Sequence, residues 1–173
     1  MAKYRLGYAV ALLVFVLDQL VKWAVTHPLG INEIGDQLVL LPMFNFTYTQ
    51  NEGISLGLLN ATNPIGRWML VAMTTVIAVG VAVWIGREKN RIDQVALGMV
   101  LGGALGNIID RVRFGYVVDF ADLHFGTFRP FLVFNVGDAA ISIAVVILLL
   151  RAFLARKDHQ EGHEKPKETI EHA

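Results

Sequence analysis

Nineteen consecutive residues, Trp68 to Gly86, carry no charge and stand between Arg67 and Arg87, with a tryptophan near each end. A helix of that length rises about 28 Å, close to the ~30 Å hydrocarbon core of a bilayer, and the tryptophans suit its two interfaces. Composition points the same way: 54% of the 173 residues are hydrophobic, only 17% are charged and the mean hydropathy is +0.50. A soluble domain carries about 25% charged residues. The formal net charge is zero, which gives no support for a nucleic-acid partner. The chain has no cysteine, so disulfides, thiolate metal sites and a cysteine nucleophile are excluded together.

Three more stretches read as spans, at about 6–25, 94–111 and 131–150, beside the one at 68–86. Lys3 and Arg5 ahead of the first resemble the start of a signal peptide, but Asp18, Lys22 and the lack of a small-x-small site argue against removal. Gly98, Gly102 and Gly106 recur every four residues in the third span, the small-xxx-small pattern that lets helix backbones approach closely. Residues 26–66 differ in kind, with no Lys or Arg and frequent Gly and Pro. Within them Phe44, Phe46 and Tyr48 alternate with Asn45, Thr47 and Thr49, a strand pattern. Asn51, Glu52 and Gly53 then offer a turn with Gly where a left-handed backbone is needed, and 54–59 returns as a second strand.

The fold expected is an α-helical integral membrane protein, with four transmembrane helices and a small extracytoplasmic β-hairpin or sheet between the first two. Residues 1–155 form a single domain and 156–173 a disordered cytoplasmic tail. Lys3, Arg5, Arg87, Lys89, Arg91, Arg151, Arg156 and Lys157 all fall on one side of such a bundle. The positive-inside rule places that side, with both termini, in the cytoplasm.

Against this apolar background the polar residues stand out. Asp18 and Lys22 lie four apart late in the first span, where opposite charges meet on one face. Asn107, Asp110 and Arg111 share a face late in the third span, and Asn135 and Asp138 open the fourth. All sit towards the outer helix ends, so they converge at one depth, as the parts of a site do. A charge inside a bilayer costs about 2.5–3.5 kcal/mol on insertion scales, which makes Asp138 a functional candidate by default. Its partner in the preceding loop is Asp119, with Asp122 a rival three residues on.

Two close carboxylates in a poorly solvated place hold one proton between them near neutral pH. The ionised one can then take a proton from water while the neutral one donates to a carbonyl oxygen, which is enough to hydrolyse a peptide bond without metal or covalent intermediate. A Ser/Lys mechanism would need Ser55 to reach Lys22. His159 and His163 in HQEGH lack the HExxH order of a zinc site, so no metal or other cofactor is expected. The alternative from another class is a small proton-coupled transporter or channel subunit, but that predicts acids near the midplane and often an inverted repeat.

The motifs FVLDQLVK, QNEGISLG, GGALGNIIDR, VVDF and FNVGD, in this order over about residues 8–155, resemble those of the bacterial lipoprotein signal peptidases, or signal peptidase II. The resemblance implies that Asp119 and Asp138 are the catalytic pair of an aspartic endopeptidase. It implies that Asn51, Gly53, Asn107, Arg111 and Asn135 line the site, with Asp18, Lys22 and Asp110 as structural polar residues. It further implies a diacylglyceryl-modified prolipoprotein substrate cut before its lipidated cysteine, contact with membrane lipids, sensitivity to globomycin and a place in the bacterial inner membrane; a monomer is expected separately. Two departures are visible. Ile54, Ser55 and Leu56 stand where the family has small residues and Phe, and Gly137 replaces the usual Ala, which is expected to loosen the backbone beside Asp138.

Overall fold

The computed structural model describes residues 5–54, 59–60 and 64–163. Four helices are long and apolar enough to cross a membrane: α1 (Arg5–Thr26), α2 (Pro64–Ile85), α3 (Arg91–Arg113) and α4 (Val136–His163), the last over Val136–Leu154. Among the described residues five strands lie between them, β1 (Gln37–Leu41), β2 (Phe44–Asn51), β3 (Gly53–Ile54) and β4 (Leu59–Asn60) before α2, and β5 (Val117–Leu123) between α3 and α4.

α3 is the central helix, packed on α1, α2 and α4. Its glycines are there because the neighbours leave no room for a side chain. A Cβ on Gly98 would lie 2.3 Å from the Gly7 carbonyl oxygen, and one on Gly102 would lie 2.4 Å from that of Ala11. On the opposite face, a Cβ on Gly103 would meet the Gly137 oxygen of α4 at 2.4 Å. The packing expected of the glycine repeat is therefore present along α1, and a further glycine pair makes the α3–α4 crossing. Ala11, Ala78, Ile85, Leu97 and Leu101 fill the core between the helices.

The sheet lies at the end of the bundle where α1 and α3 finish and α4 begins. It is antiparallel in the order β1-β2-β5, and Val25, Ile31, Tyr48, Val118, Phe120 and Ala121 form the core that joins it to the helices. The hairpin differs from the expected one. β2 pairs with β1 across a turn at Pro42 and Met43, and with β5, while Gly53–Ile54 turns aside to pair with Leu59–Asn60. The strands 37–41 and 117–123 have no clear alternation, the first because every residue is exposed, the second because nearly all are buried.

Both ends of the fourth helix also move. The fourth helix starts at Val136 instead of 131, since Phe134 is used to bond β5: its oxygen accepts from the Phe120 and Ala121 nitrogens at 3.1 and 2.7 Å. Asp138 thus sits in the first helical turn. At the other end α4 continues to His163, eight residues into the stretch expected to be a disordered tail, and the rest of that tail, 164–173, lies outside the described residues.

Candidate active site

Asp119 is on β5 and Asp138 in the first turn of α4, and Asn135 joins them. Its Nδ2 donates to Asp119 Oδ1 at 2.6 Å, and its Oδ1 accepts from the Asp138 backbone nitrogen at 2.9 Å. The Asn135 nitrogen donates back to Asp138 Oδ2 at 3.3 Å. This reciprocal pair is a capping box, so the residue that starts α4 also aims Asp138. Asn107 Nδ2 donates to the other oxygen, Asp138 Oδ1, at 2.8 Å.

Asn51 supplies the second donor to Asp119, from Nδ2 to Oδ2 at 2.9 Å, while its own Oδ1 accepts from the Gly53 nitrogen at 3.0 Å. Gly53 has φ +106°, so the turn needs glycine. A bulge in β2 brings Asn51 to this face. Pairing runs Phe46 with Ala121 and then Thr49 with Asp119, which inserts one residue into β2. Without it Asn51 would point to the opposite side, because a one-residue slip exchanges the faces of a strand.

Asp119 is 2% exposed. Burial, and after it the neighbouring Asp138 carboxylate, push its carboxyl up to about 7, against the lowering effect of the Asn51 and Asn135 amides and of Lys22. One member of the pair therefore exchanges its proton close to neutral pH, where a general acid or base is most effective.

Behind the pair lies a buried charge cluster. Lys22 Nζ is 2.7 Å from Asp18 Oδ2 and 2.7 Å from Asp110 Oδ2, and its third donor reaches Asn107 Oδ1 at 3.3 Å. Asp18, Lys22 and Asp110 are 0%, 5% and 1% exposed. Such burial is tolerable because every proton of the ammonium has an acceptor. Gln19, not singled out by its sequence, completes the cluster by donating to Asp110 Oδ1 at 3.0 Å and Asp18 Oδ2 at 3.3 Å. An amide beside an acid in a spanning helix is the signal that could have found it.

Other candidates fall elsewhere. Arg111 is half-buried, donates to the Asn107 oxygen at 3.5 Å and has no protein partner for its Nε among the described residues. Its charge acts on Asp138, Asp119 and Asp110. Asp122 points to the other face of β5, where Thr47 donates to it at 3.3 Å and Arg129 pairs with it at 3.1 Å. Lys22 is fully engaged, while its proposed partner Ser55 lies outside the described residues. Beside Asp138 opens a cavity of about 250 Å³ lined by Leu123, Phe131, Leu132, Phe134 and Ile143.

Four helices of membrane-spanning length among the described residues, with two carboxylates joined by Asn135 at one end of the bundle, make up the architecture that the comparisons place in a family. The profile of the family described as signal peptidase (SPase) II matches residues 10–154. A lipoprotein signal peptidase of Sphingopyxis alaskensis is 50% identical over 162 residues, 94% of this chain and 93% of its own. One from Rhizorhabdus wittichii is 52% identical over 152 residues, 88% of each chain. A solved bacterial membrane enzyme superposes with a TM-score of 0.75 at 28% identity, over 92% of this chain and 93% of its own. The chain belongs to the signal peptidase II family. It is accordingly a protease, in place of the transporter alternative.

Proposed function

We propose that the chain removes signal peptides from prolipoproteins, cutting on the N-terminal side of the diacylglyceryl-modified cysteine, with Asp119 and Asp138 as its acid/base pair. The observation that carries the reading is Asn135, one residue that bonds both carboxylates, Asp119 through its side-chain amide and Asp138 through its backbone N–H. A water held between them loses a proton to the ionised carboxylate as its oxygen attacks the scissile carbonyl carbon. The protonated carboxylate donates to the carbonyl oxygen, giving a neutral tetrahedral diol. Collapse breaks the C–N bond as a carboxyl proton passes to the departing cysteine nitrogen and the other carboxylate recovers a proton from the diol. Each acid or base role is worth about 10²–10⁴ in rate.

The apolar cavity beside Asp138 suits an acyl chain arriving sideways from the bilayer. Globomycin is expected to compete for the same space. The distribution of Lys and Arg supports cytoplasmic termini, and with them a site near the outer face of the inner membrane.

The test is to offer detergent-purified protein a diacylglyceryl-modified prolipoprotein and its unmodified form. Cleavage of the modified form alone, lost in Asp119→Asn and in Asp138→Asn, is expected. Cleavage of neither form by the wild type, or normal cleavage by either variant, overturns the reading.

A further inference from the structure

Asp18 and Asp110 each bond, besides Lys22, to one backbone N–H outside their own helix. Asp18 Oδ1 accepts from the Gly137 nitrogen at 2.9 Å, and Asp110 Oδ2 accepts from the Val118 nitrogen at 3.2 Å. Gly137 immediately precedes Asp138, and Val118 immediately precedes Asp119. The two buried acids thus grip the chain one residue ahead of each member of the pair, and a single ammonium holds the acids together.

We infer that Asp18, Lys22 and Asp110 form a clamp that sets the separation of Asp119 and Asp138, acting as positioning residues for the reaction. The inference rests on the proposed role of the two aspartates. Both gripped groups need an outside partner. Gly137 is the second residue of α4, whose N–H has no acceptor within the helix, and the positive end of the helix dipole favours the Asp18 charge there. Val118 is on the edge of the sheet away from β2, so its N–H has no strand to bond.

Lys22 adds a third link. Together with Asn135 Nδ2, which donates to the same atom at 3.1 Å, it holds Asn107 Oδ1 and so leaves the Asn107 nitrogen to face Asp138. Gly106 makes the clamp possible, since a Cβ there would lie 2.3 Å from Asp18 Oδ2. A purely stabilising ion pair would need none of these backbone bonds.

The test compares Asp110→Ala, which loses the acceptor for Val118, with Asp110→Asn, which keeps an oxygen there. Gly98→Ala is the control, because it strains the same α1–α3 seam far from the clamp. At temperatures where all are folded, Asp110→Ala is expected to lose about 10- to 100-fold in kcat with KM within about threefold, and Asp110→Asn to recover most of it. Equal kcat in Asp110→Ala and Gly98→Ala overturns the clamp.

Should Asp110→Ala not fold, amide proton shifts of Asp110→Asn decide. The Val118 proton moves upfield as its acceptor loses charge, and the Gly137 proton moves with it if Lys22 couples the two acids. An unmoved Gly137 proton refutes the coupling. Asp119→Asn and Asp138→Asn in the same assay keep the two ideas apart: normal turnover there sinks the catalytic pair, whereas their loss beside wild-type kcat in Asp110→Ala sinks only the clamp.

Discussion

Replacing Asp119 by Asn should stabilise the folded protein increasingly as pH rises, even as it removes activity. The folded carboxyl sits at about 7, above the ordinary 3.8 that it has when the chain unfolds. Between those values the folded state binds more protons than the unfolded one, so wild-type stability falls as pH rises from about 4 to about 7 and is flat beyond. The fall is about 1.4 kcal/mol for each pH unit traversed. From pH 5 to pH 8 the wild type therefore loses roughly 2–3 kcal/mol that Asp119→Asn keeps.

A fixed cost is superimposed. Both oxygens of Asp119 accept from amide nitrogens, so an Asn there turns its own NH2 against one of them. Neither donor can flip freely, because Asn51 Oδ1 holds the Gly53 nitrogen and Asn135 Oδ1 holds that of Asp138. This conflict costs about 1–3 kcal/mol at every pH. The stability difference between variant and wild type should then change by roughly 2–3 kcal/mol across the range, or about 5–10 °C in Tm for a chain of this size. Thermal unfolding in detergent, followed by tryptophan fluorescence from pH 5 to pH 9, measures it. A Tm difference that stays constant over that range would refute a raised Asp119.

Three further substitutions separate the parts of the site. Asp122→Asn should cut prolipoprotein within about threefold of the wild type, since its carboxylate serves Thr47 and Arg129 on the far face of β5; loss of cleavage would move the site. Asn51→Ala removes a donor that lowers the Asp119 carboxyl, so the alkaline limb of the pH–rate profile, where the shared proton is lost, should shift to higher pH; a shift to lower pH would contradict the bond. Gly137→Ala places a Cβ 3.0 Å from the Gly103 oxygen and 3.1 Å from Asn135 Oδ1. Kinetics should show kcat reduced by up to about tenfold with KM unchanged, as α4 shifts by a few tenths of an ångström.

That last position also shows where sequence and structure part. A glycine in place of the family's usual alanine suggests a looser backbone, yet Gly137 packs against Gly103 so closely that it is the tight point of the α3–α4 crossing. The spans were legible because long uncharged runs have few other uses, and the polar corner because acids in such runs stand out. Their partners were not. Asn107, Asp110 and Arg111 share a face by spacing, but Asp110 and Arg111 are about 100° apart around the helix. Asp110 accordingly turns to Lys22 and Val118, while Asn107 turns to Asp138. β5 was missed because burial on both faces removes alternation, and the β2 bulge leaves no mark in composition.

The corner also holds more polar residues than hydrolysis needs, and membrane placement gives the reason. Near lipid every irregular backbone group must find a protein partner, since water is scarce. A site built from a strand edge and a helix start exposes such groups: the Val118 N–H of β5 and the Gly137 N–H of α4 are two. Asp110 and Asp18 satisfy them, Lys22 neutralises the acids that do so, and Gln19 fills the remaining lone pairs. The buried charges are thus a consequence of bringing a strand carboxylate to a helix carboxylate at the end of a membrane bundle, and the same bonds that close the backbone hold the pair in register.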